Sequence, residues 1–304
     1  MAKLMTEPGG RLMAHGDETP WEVHPRPLLK RDSFLNLCGW WDFFTEEGYP
    51  PYRSRIRVPF PPESPLSGVG RHFPEGTALV YERHISIPAG FRKDRLLLHV
   101  DGADQHADVF VDGRLVGRHD GGDAHFTIEI ANADDEFDLR IVVTDDLRDK
   151  TEPYGKQRVR RGGMWYTPFS GLWQPVWMES VPEEFIESID IRSDTGHVEI
   201  DTGDPSHTGE VLIEISEGRM ERVPLIRGHA SFAPAIRRLW TPDHPQLYPF
   251  TIRLAGGDEA RSYFALRKIE RANISGVPHL LLNGEPCFFH GLLDQGYWPD
   301  GLST

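Results

Sequence analysis

Residues 162–179 read Gly-Gly-Met-Trp-Tyr-Thr-Pro-Phe-Ser-Gly-Leu-Trp-Gln-Pro-Val-Trp-Met-Glu, and their reading decides the fold. In the second half, Trp173, Pro175 and Trp177 alternate with Leu172, Val176 and Met178, so both faces of the run are apolar. A strand apolar on both faces needs cover on each side, which puts it inside a layered β structure. The first half carries Trp165, Tyr166 and Phe169 but is broken by Gly162, Gly163 and Pro168. Glycine and proline punctuate a chain into turns, so this half is an aromatic loop leading into the strand. On structural grounds alone, the stretch is a buried strand behind an ordered loop.

The flanking sequence is also β-like. Residues 79–144 hold short apolar runs at Leu79–Ile87, Arg95–Val100, His106–Val111, Arg114–Gly117, Phe126–Ile130 and Phe137–Thr144. Asp112-Gly113 separates two of them, a strong hairpin signal because both central residues need positive φ. Short strands at regular spacing indicate a sandwich. Ahead of them, Trp41 and Phe43 mark a strand of uncertain face, and the prolines of residues 56–70 exclude helix and central strand there. Residues 1–30 show no periodicity and read as an extended leader. After Pro182 the strands are sparser, at Ile186–Ile191, His197–Ile200, Glu210–Ile215, Met220–Leu225 and Phe250–Ala255. Asn283-Gly284 then centres a second hairpin.

Composition sets limits. The chain has 304 residues, 38% of them hydrophobic, enough for about two cores. A net charge of −14 disfavours nucleic acid and anionic membranes as partners. Two distant cysteines, Cys38 and Cys287, make no disulfide framework and suit reduced thiols in the cytoplasm. No run approaches signal-peptide or membrane-span character, so a cytoplasmic protein is expected. His99, His106, His119 and His125 lie near Asp101, Asp104, Asp120 and Asp123, but at no recognised metal spacing. They read as surface and turn polarity, and neither a metal nor a cofactor is expected.

Several stretches, in order, resemble glycoside hydrolase family 2, the β-galactosidase and β-glucuronidase family. "YTPFSGLWQPVWMES" (166–180) is similar to that family's Y-T-x-x-S-G-I-W-Q-x-V-W-L-E, and "VPFPPESPLSG" (58–68) to its V-P-F-x-x-E-S-x-L-S-G. "VFVDGRLVGRHDGG" (109–122) resembles V-x-V-N-G-x-x-V-G-x-H-x-G-G, with Asp112 for the usual Asn. "LWTPDHPQLY" (239–248) resembles a segment of its second domain, and "LNGEPCFFHG" (282–291) its entry into a catalytic barrel. Pro153, Gly155, Lys156 and Gln157 match a P-x-G-K-Q loop of one bacterial branch, and "LDQGYWPDG" (293–301) points to the same branch. A substrate-reaching aspartate of better-known branches has no clear match here, which leaves the sugar open.

The resemblance implies an all-β chain in four parts: a leader (1–30), a jelly-roll-like sugar-binding sandwich (31–181), an immunoglobulin-like sandwich (182–271), and a truncated first strand of a (β/α)8 barrel (272–304). It implies an N-terminal portion of a retaining β-glycosidase, most of all a β-galactosidase-like enzyme, acting on a β-glycoside. Self-association is left open. Such enzymes set two carboxyls about 5–5.5 Å apart. The family carries its acid/base in an Asn-Glu pair, and no such pair occurs in this sequence. No catalytic residue is therefore assigned, and both glutamates are expected past Thr304. Asp294, Gln295, Tyr297 and Trp298 fall where a barrel's active site lies, at the end of a strand, and with Trp165 and Tyr166 they are the candidate sugar contacts. The plainer role for the aromatics is packing between domains. Phe288, Phe289, Leu292 and Leu293 would lack barrel partners, so disorder after about residue 275, or pairing with a second chain, is expected. The competing reading is a short, non-catalytic carbohydrate-binding or structural module.

Overall fold

The computed structural model describes residues 4–16, 18–46, 51–216, 218–294 and 296–302. The fold is all-β, and the chain divides into two compact units. The first takes in residues 4–23, 33–180 and 296–302; the second takes in 24–32 and 181–294. Among the described residues no helix is long and apolar enough to cross a membrane.

The first unit opens with a helix, α1 (Glu7–Ala14), where an extended leader was expected. Thr6 caps it, its side chain accepting the Gly9 N–H, and Pro8 lies in its first turn, where a missing N–H costs nothing. Two glycines and only eight residues hide the helical period, and the helix is held from outside. Leu12 packs with Phe60 and Leu66. The Thr6 N–H and hydroxyl donate to Asp300 Oδ2 at 2.7 and 2.8 Å. The Asp300 carbonyl accepts from the Ser64 hydroxyl and, at 3.3 Å, from the Leu66 N–H.

The strands of this unit are β1 (Phe34–Asn36), β2 (Gly39–Glu46), β3 (Arg53–Val58), β4 (Ala78–Ser86), β5 (Arg95–Val100), β6 (Ala103–Asp104), β7 (His106–Val111), β8 (Arg114–Asp120), β9 (Phe126–Glu129), β10 (Glu136–Thr144), β11 (Gly171–Leu172) and β12 (Val176–Val181). They form a six-stranded sheet ordered β3-β2-β4-β10-β7-β8, a four-stranded sheet ordered β1-β12-β5-β9, and a short β11-β6 ladder. One core joins Trp41 and Phe43 of β2, Tyr81 of β4, Val109 of β7 and Ile141 of β10 to Leu98 of β5 and Val176 and Met178 of β12. Alternate residues of two facing sheets therefore meet, as in a β-sandwich. Asp112 and Gly113 have φ of 49° and 73°, and the β7–β8 hairpin turns on them.

Strand β12 is buried along its whole length, as its two-sided apolar pattern requires. Its outer face corrects one expectation. His99 is only 1% exposed, not surface polarity. It lies on β5, its ring stacked on Trp177 at 3.9 Å, with Nε2 3.1 Å from Glu179 and Nδ1 2.8 Å from Thr127. A polar residue on a central strand can be buried where neighbouring strands supply its hydrogen-bond partners.

The second unit is also a sandwich. Strands β13 (Asp190–Ser193), β14 (Val198–Asp201) and β17 (His229–Phe232) form one antiparallel sheet. Strands β15 (Gly209–Ser216), β16 (Arg219–Leu225), β18 (Tyr248–Leu254) and β19 (Glu259–Phe264) form the other. Val198, Ile200, Ile213, Ile252 and Phe264 pack between them. The Tyr248 hydroxyl accepts the Arg238 N–H at 2.6 Å, tying the preceding loop to the sheet. Arg31 is buried here: Nε donates to Asp258 Oδ1 at 2.9 Å, and one terminal nitrogen to Asp258 Oδ2 at 2.8 Å and the Ile186 carbonyl at 2.6 Å.

The segment beyond residue 268 corrects two expectations. Strands β20 (Ile269–Ile274), β21 (Val277–Leu282) and β22 (Glu285–Pro286) form a regular three-stranded antiparallel sheet, so the chain does not lose its structure after residue 275. Asn283 and Gly284 turn the second hairpin with φ of 54° and 88°. Conversely, no truncated barrel strand is seen among the described residues: the Cys287 N–H still donates to the Leu280 carbonyl at 2.9 Å, but residues 288–294 form no strand, and Phe288, Leu292 and Leu293 are 89%, 92% and 86% exposed. An apolar run without a neighbouring strand edge has no ladder to join.

Candidate functional site

Ionisable groups gather inside the first unit near the β6–β11 ladder. Glu63 comes from the proline-rich loop. Its Oε1 accepts the Ser170 hydroxyl at 2.9 Å and faces His72 Nδ1 at 3.0 Å, while its Oε2 accepts the Ser170 N–H at 3.2 Å. Burial pushes the Glu63 carboxyl above its ordinary range against these bonds. The other His72 nitrogen lies 3.1 Å from Glu75, and the bond to Glu63 raises the imidazole's basicity.

Asp104 ends β6 opposite Gly171 and is 5% exposed. Desolvation, and then the charge of Asp145, push its carboxyl up to about 7. Desolvation and the charge of Glu75 push Asp145 up to about 6. Gln157 joins this acid to the aromatic loop: its Nε2 donates to Asp104 Oδ2 at 3.2 Å and its Oε1 accepts the Phe169 N–H at 2.7 Å. Gly122 is required beside it, because a Cβ there would overlap Asp104 Oδ1.

The loop folds back on itself through Tyr166 N–H to the Lys156 carbonyl at 2.8 Å and Arg158 N–H to the Tyr166 carbonyl at 3.3 Å. Tyr297 docks on it, its hydroxyl donating to the Thr167 carbonyl at 3.0 Å and its ring stacking on Tyr166 at 4.8 Å. Phe169 lies 6.4 Å from Tyr297 and 5.0 Å from Trp173, whose indole N–H donates to the Gly122 carbonyl at 2.9 Å. Between them opens a cavity of about 330 Å³, floored by Asp104 and Gln157, walled by Tyr166, Phe169 and Tyr297, and rimmed by Asp123 and the loop 153–156. That volume lies at the small end of the roughly 300–1,000 Å³ usual for ligand pockets. Aromatic faces beside hydroxyl-binding carboxyl and amide groups suit a sugar ring, with C–H faces to stack and hydroxyls to bond.

Of the residues singled out from sequence, Tyr166 and Tyr297 are brought together across 131 positions and line this cavity. Trp165 is half-buried under the Arg158 guanidinium, 3.7 Å away, and does not line it. Trp298 is 57% exposed and outside the lining. Asp294 is exposed and belongs to the second unit, and Gln295 lies outside the described residues. Asp104 was grouped with surface polarity, which its burial overturns, and Glu63 and Gln157 went unremarked as site residues. The one signal for Glu63 is a carboxylate inside an apolar, proline-rich loop.

The fold is a β-sandwich with an aromatic-walled, acid-floored cavity, and comparisons with known proteins show what it is similar to. No family model matches the chain. Over 240 residues it is 23% identical to a β-galactosidase of Thermoanaerobacter pseudethanolicus, covering 70% of this chain and 31% of that enzyme. Over 233 residues it is 26% identical to a β-glucuronidase of Paenibacillus borealis, covering 69% and 39%. Among solved structures, the apo β-glucuronidase of Ruminococcus gnavus superposes with a TM-score of 0.66 at 21% identity, over 89% of this chain and 51% of that one. The galacturonate-bound GH2 β-galacturonidase of Eisenbergiella tayi gives 0.59 at 20% identity, over 88% and 47%. The structural likenesses carry the fold. The chain's homologues are thus glycoside hydrolase family 2 enzymes of the β-galactosidase and β-glucuronidase kind, and it spans about a third of the curated relatives' length and about half of the solved chains'.

Proposed function

We propose that the chain is the amino-terminal portion of a retaining β-glycosidase, β-galactosidase-like, that hydrolyses terminal β-glycosides in the cytoplasm. Both catalytic glutamates then come from barrel strands outside these 304 residues, and the chain alone is inactive. In this reading residues 31–181 are the sugar-binding sandwich, 182–271 an immunoglobulin-like spacer, and 272–304 the approach to the barrel. The observation that carries the reading is the stacked Tyr166–Tyr297 pair over the buried Asp104, which builds a sugar-sized cavity from residues far apart in sequence. In the full reaction this wall would hold the glycoside while the glutamates act.

The test begins with the coding frame past codon 304. An open frame carrying an Asn-Glu pair is expected, and its product should cleave nitrophenyl β-galactoside with retention at the anomeric carbon, read by proton NMR of the first-formed sugar. A stop at codon 305 removes the enzyme reading. One observation favours the alternative of a non-catalytic binding module: every residue lining the cavity belongs to one compact unit. That module would bind sugar unaided.

A further inference from the structure

The cavity of the first unit has a bias that the shape alone does not give. Its floor and rim carry two carboxyls, Asp104 and Asp123, against one cation, Lys156. Behind the floor stand Asp145 and Glu63, each close enough to act on Asp104 through its charge. The charges are also placed differently: Asp104 is buried, whereas Asp123 and Lys156 are both exposed and screened by solvent and salt, so the buried floor carries the carboxyl.

Hydrogen-bonding capacity leans the same way. Gln157 has already committed its oxygen to Phe169 and one N–H to Asp104. The Tyr297 hydroxyl spends its proton on the Thr167 carbonyl and has only acceptor capacity left. Near the buried floor the acceptors are the Asp104 carboxyl and the Tyr297 oxygen, which suit a ligand that brings hydroxyl donors, while Lys156 and the Tyr154 and Tyr166 hydroxyls can donate elsewhere on the wall. A ligand carboxylate would bring a further set of acceptors and a further negative charge.

We infer that this cavity takes an uncharged pyranose ring and rejects uronic acids. The inference rests on the proposal that the cavity is a sugar site, and narrows it to a substrate class. It separates this chain from the solved neighbours described as bound to glucuronic acid or galacturonate, with which it shares the fold. Like charges brought within a few ångströms at a partly buried site weaken binding by about tenfold or more. The discrimination should also depend on pH. Asp104 sits among Asp123, Asp145, Glu63, Tyr297 and Lys156, and its carboxyl ionises around 7, so the site gains a negative charge between pH 5.5 and 8.

The experiment titrates the 304-residue chain with two matched pairs: methyl β-galactoside against methyl β-galacturonide, and methyl β-glucoside against methyl β-glucuronide. Each pair differs only at C6, and saturation-transfer NMR reads binding. The neutral member of at least one pair should bind, with its uronide about tenfold weaker. That gap should widen from pH 5.5 to 8 and shrink severalfold in Asp123→Asn, a substitution on an exposed rim. A uronide binding as tightly as its neutral partner overturns the inference and leaves the sugar site standing. A gap unmoved by both pH and Asp123→Asn also overturns it. Silence from all four ligands removes the sugar site and the inference together.

Discussion

The two units bury charge in opposite ways. In the second, Arg31 and Asp258 meet through two parallel bonds, and Asp258 Oδ2 also accepts the Ile186 N–H at 2.9 Å. Each charge there faces its opposite, with hydrogen bonds to spare. In the first, desolvation raises the proton affinity of Glu63, Asp104 and Asp145, and the charge of Glu63 adds to it at both aspartates, while His72 and a few dipoles offset it. A paired buried charge holds a structure together, whereas clustered like charges beside a cavity weaken it and are retained for what they bind. The second unit holds its buried charge as a matched pair, and the cavity-bearing unit concentrates like charges at its site.

Breaking the paired charge gives the largest expected effect. Asp258→Ala leaves Arg31 buried without its carboxylate and should destabilise the second unit by about 3–5 kcal/mol. Urea unfolding followed by hydrogen exchange at β15 and β18 reads this, and a loss under 1 kcal/mol would mean that the pair is solvated.

The next effect sharpens the other side. Asp104 and Asp145 have folded values of about 7 and about 6 against an ordinary 3.8, so both bind protons more tightly when folded. Their cost is fully present above pH 7 and is relieved as pH falls through 7 and 6. His72, raised above 6.5, stabilises fully below that value and loses its contribution as pH rises through its folded value. The three act in one direction, and the first unit should melt several degrees higher at pH 5.5 than at pH 8. Asp104→Asn removes the largest share: it should add about 1–3 kcal/mol at pH 8 and flatten the profile. Calorimetry showing the same melting point at both pH values would equate the two units' treatment of charge.

Tyr297→Phe gives the smallest effect. It removes one hydroxyl-to-carbonyl bond and keeps the stacked ring, at a cost of about 1 kcal/mol. Sugar binding should survive this change and fail in Tyr297→Ala, by ligand-observed NMR, if the ring face is the contact.

How much of this could be read in advance follows from the range of the forces. Local signals were sufficient at Asp112-Gly113, at Asn283-Gly284 and at β12, where two or six neighbouring residues decide the backbone. The sandwich class followed from them. Pairs such as Arg31 with Asp258 or Glu63 with Ser170 lie 227 and 107 positions apart, and no periodicity reports them. For the same reason Asp104 and His99 looked like surface residues: alternation tells which face a side chain takes, not whether another layer covers it. Tyr166 and Tyr297 were singled out for their chemistry, but only the folded chain shows that they touch.

The tie between Thr6 and Asp300 bears on how the protein is made. A ribosome delivers Thr6 near the start, yet its partner arrives after the second unit's whole sequence. At about 5–20 residues per second, the 120 residues between Ser180 and Asp300 take on the order of ten seconds. During that interval α1 and the Ser64 turn lack the residue that ties them together. The first unit to begin is therefore the last to finish.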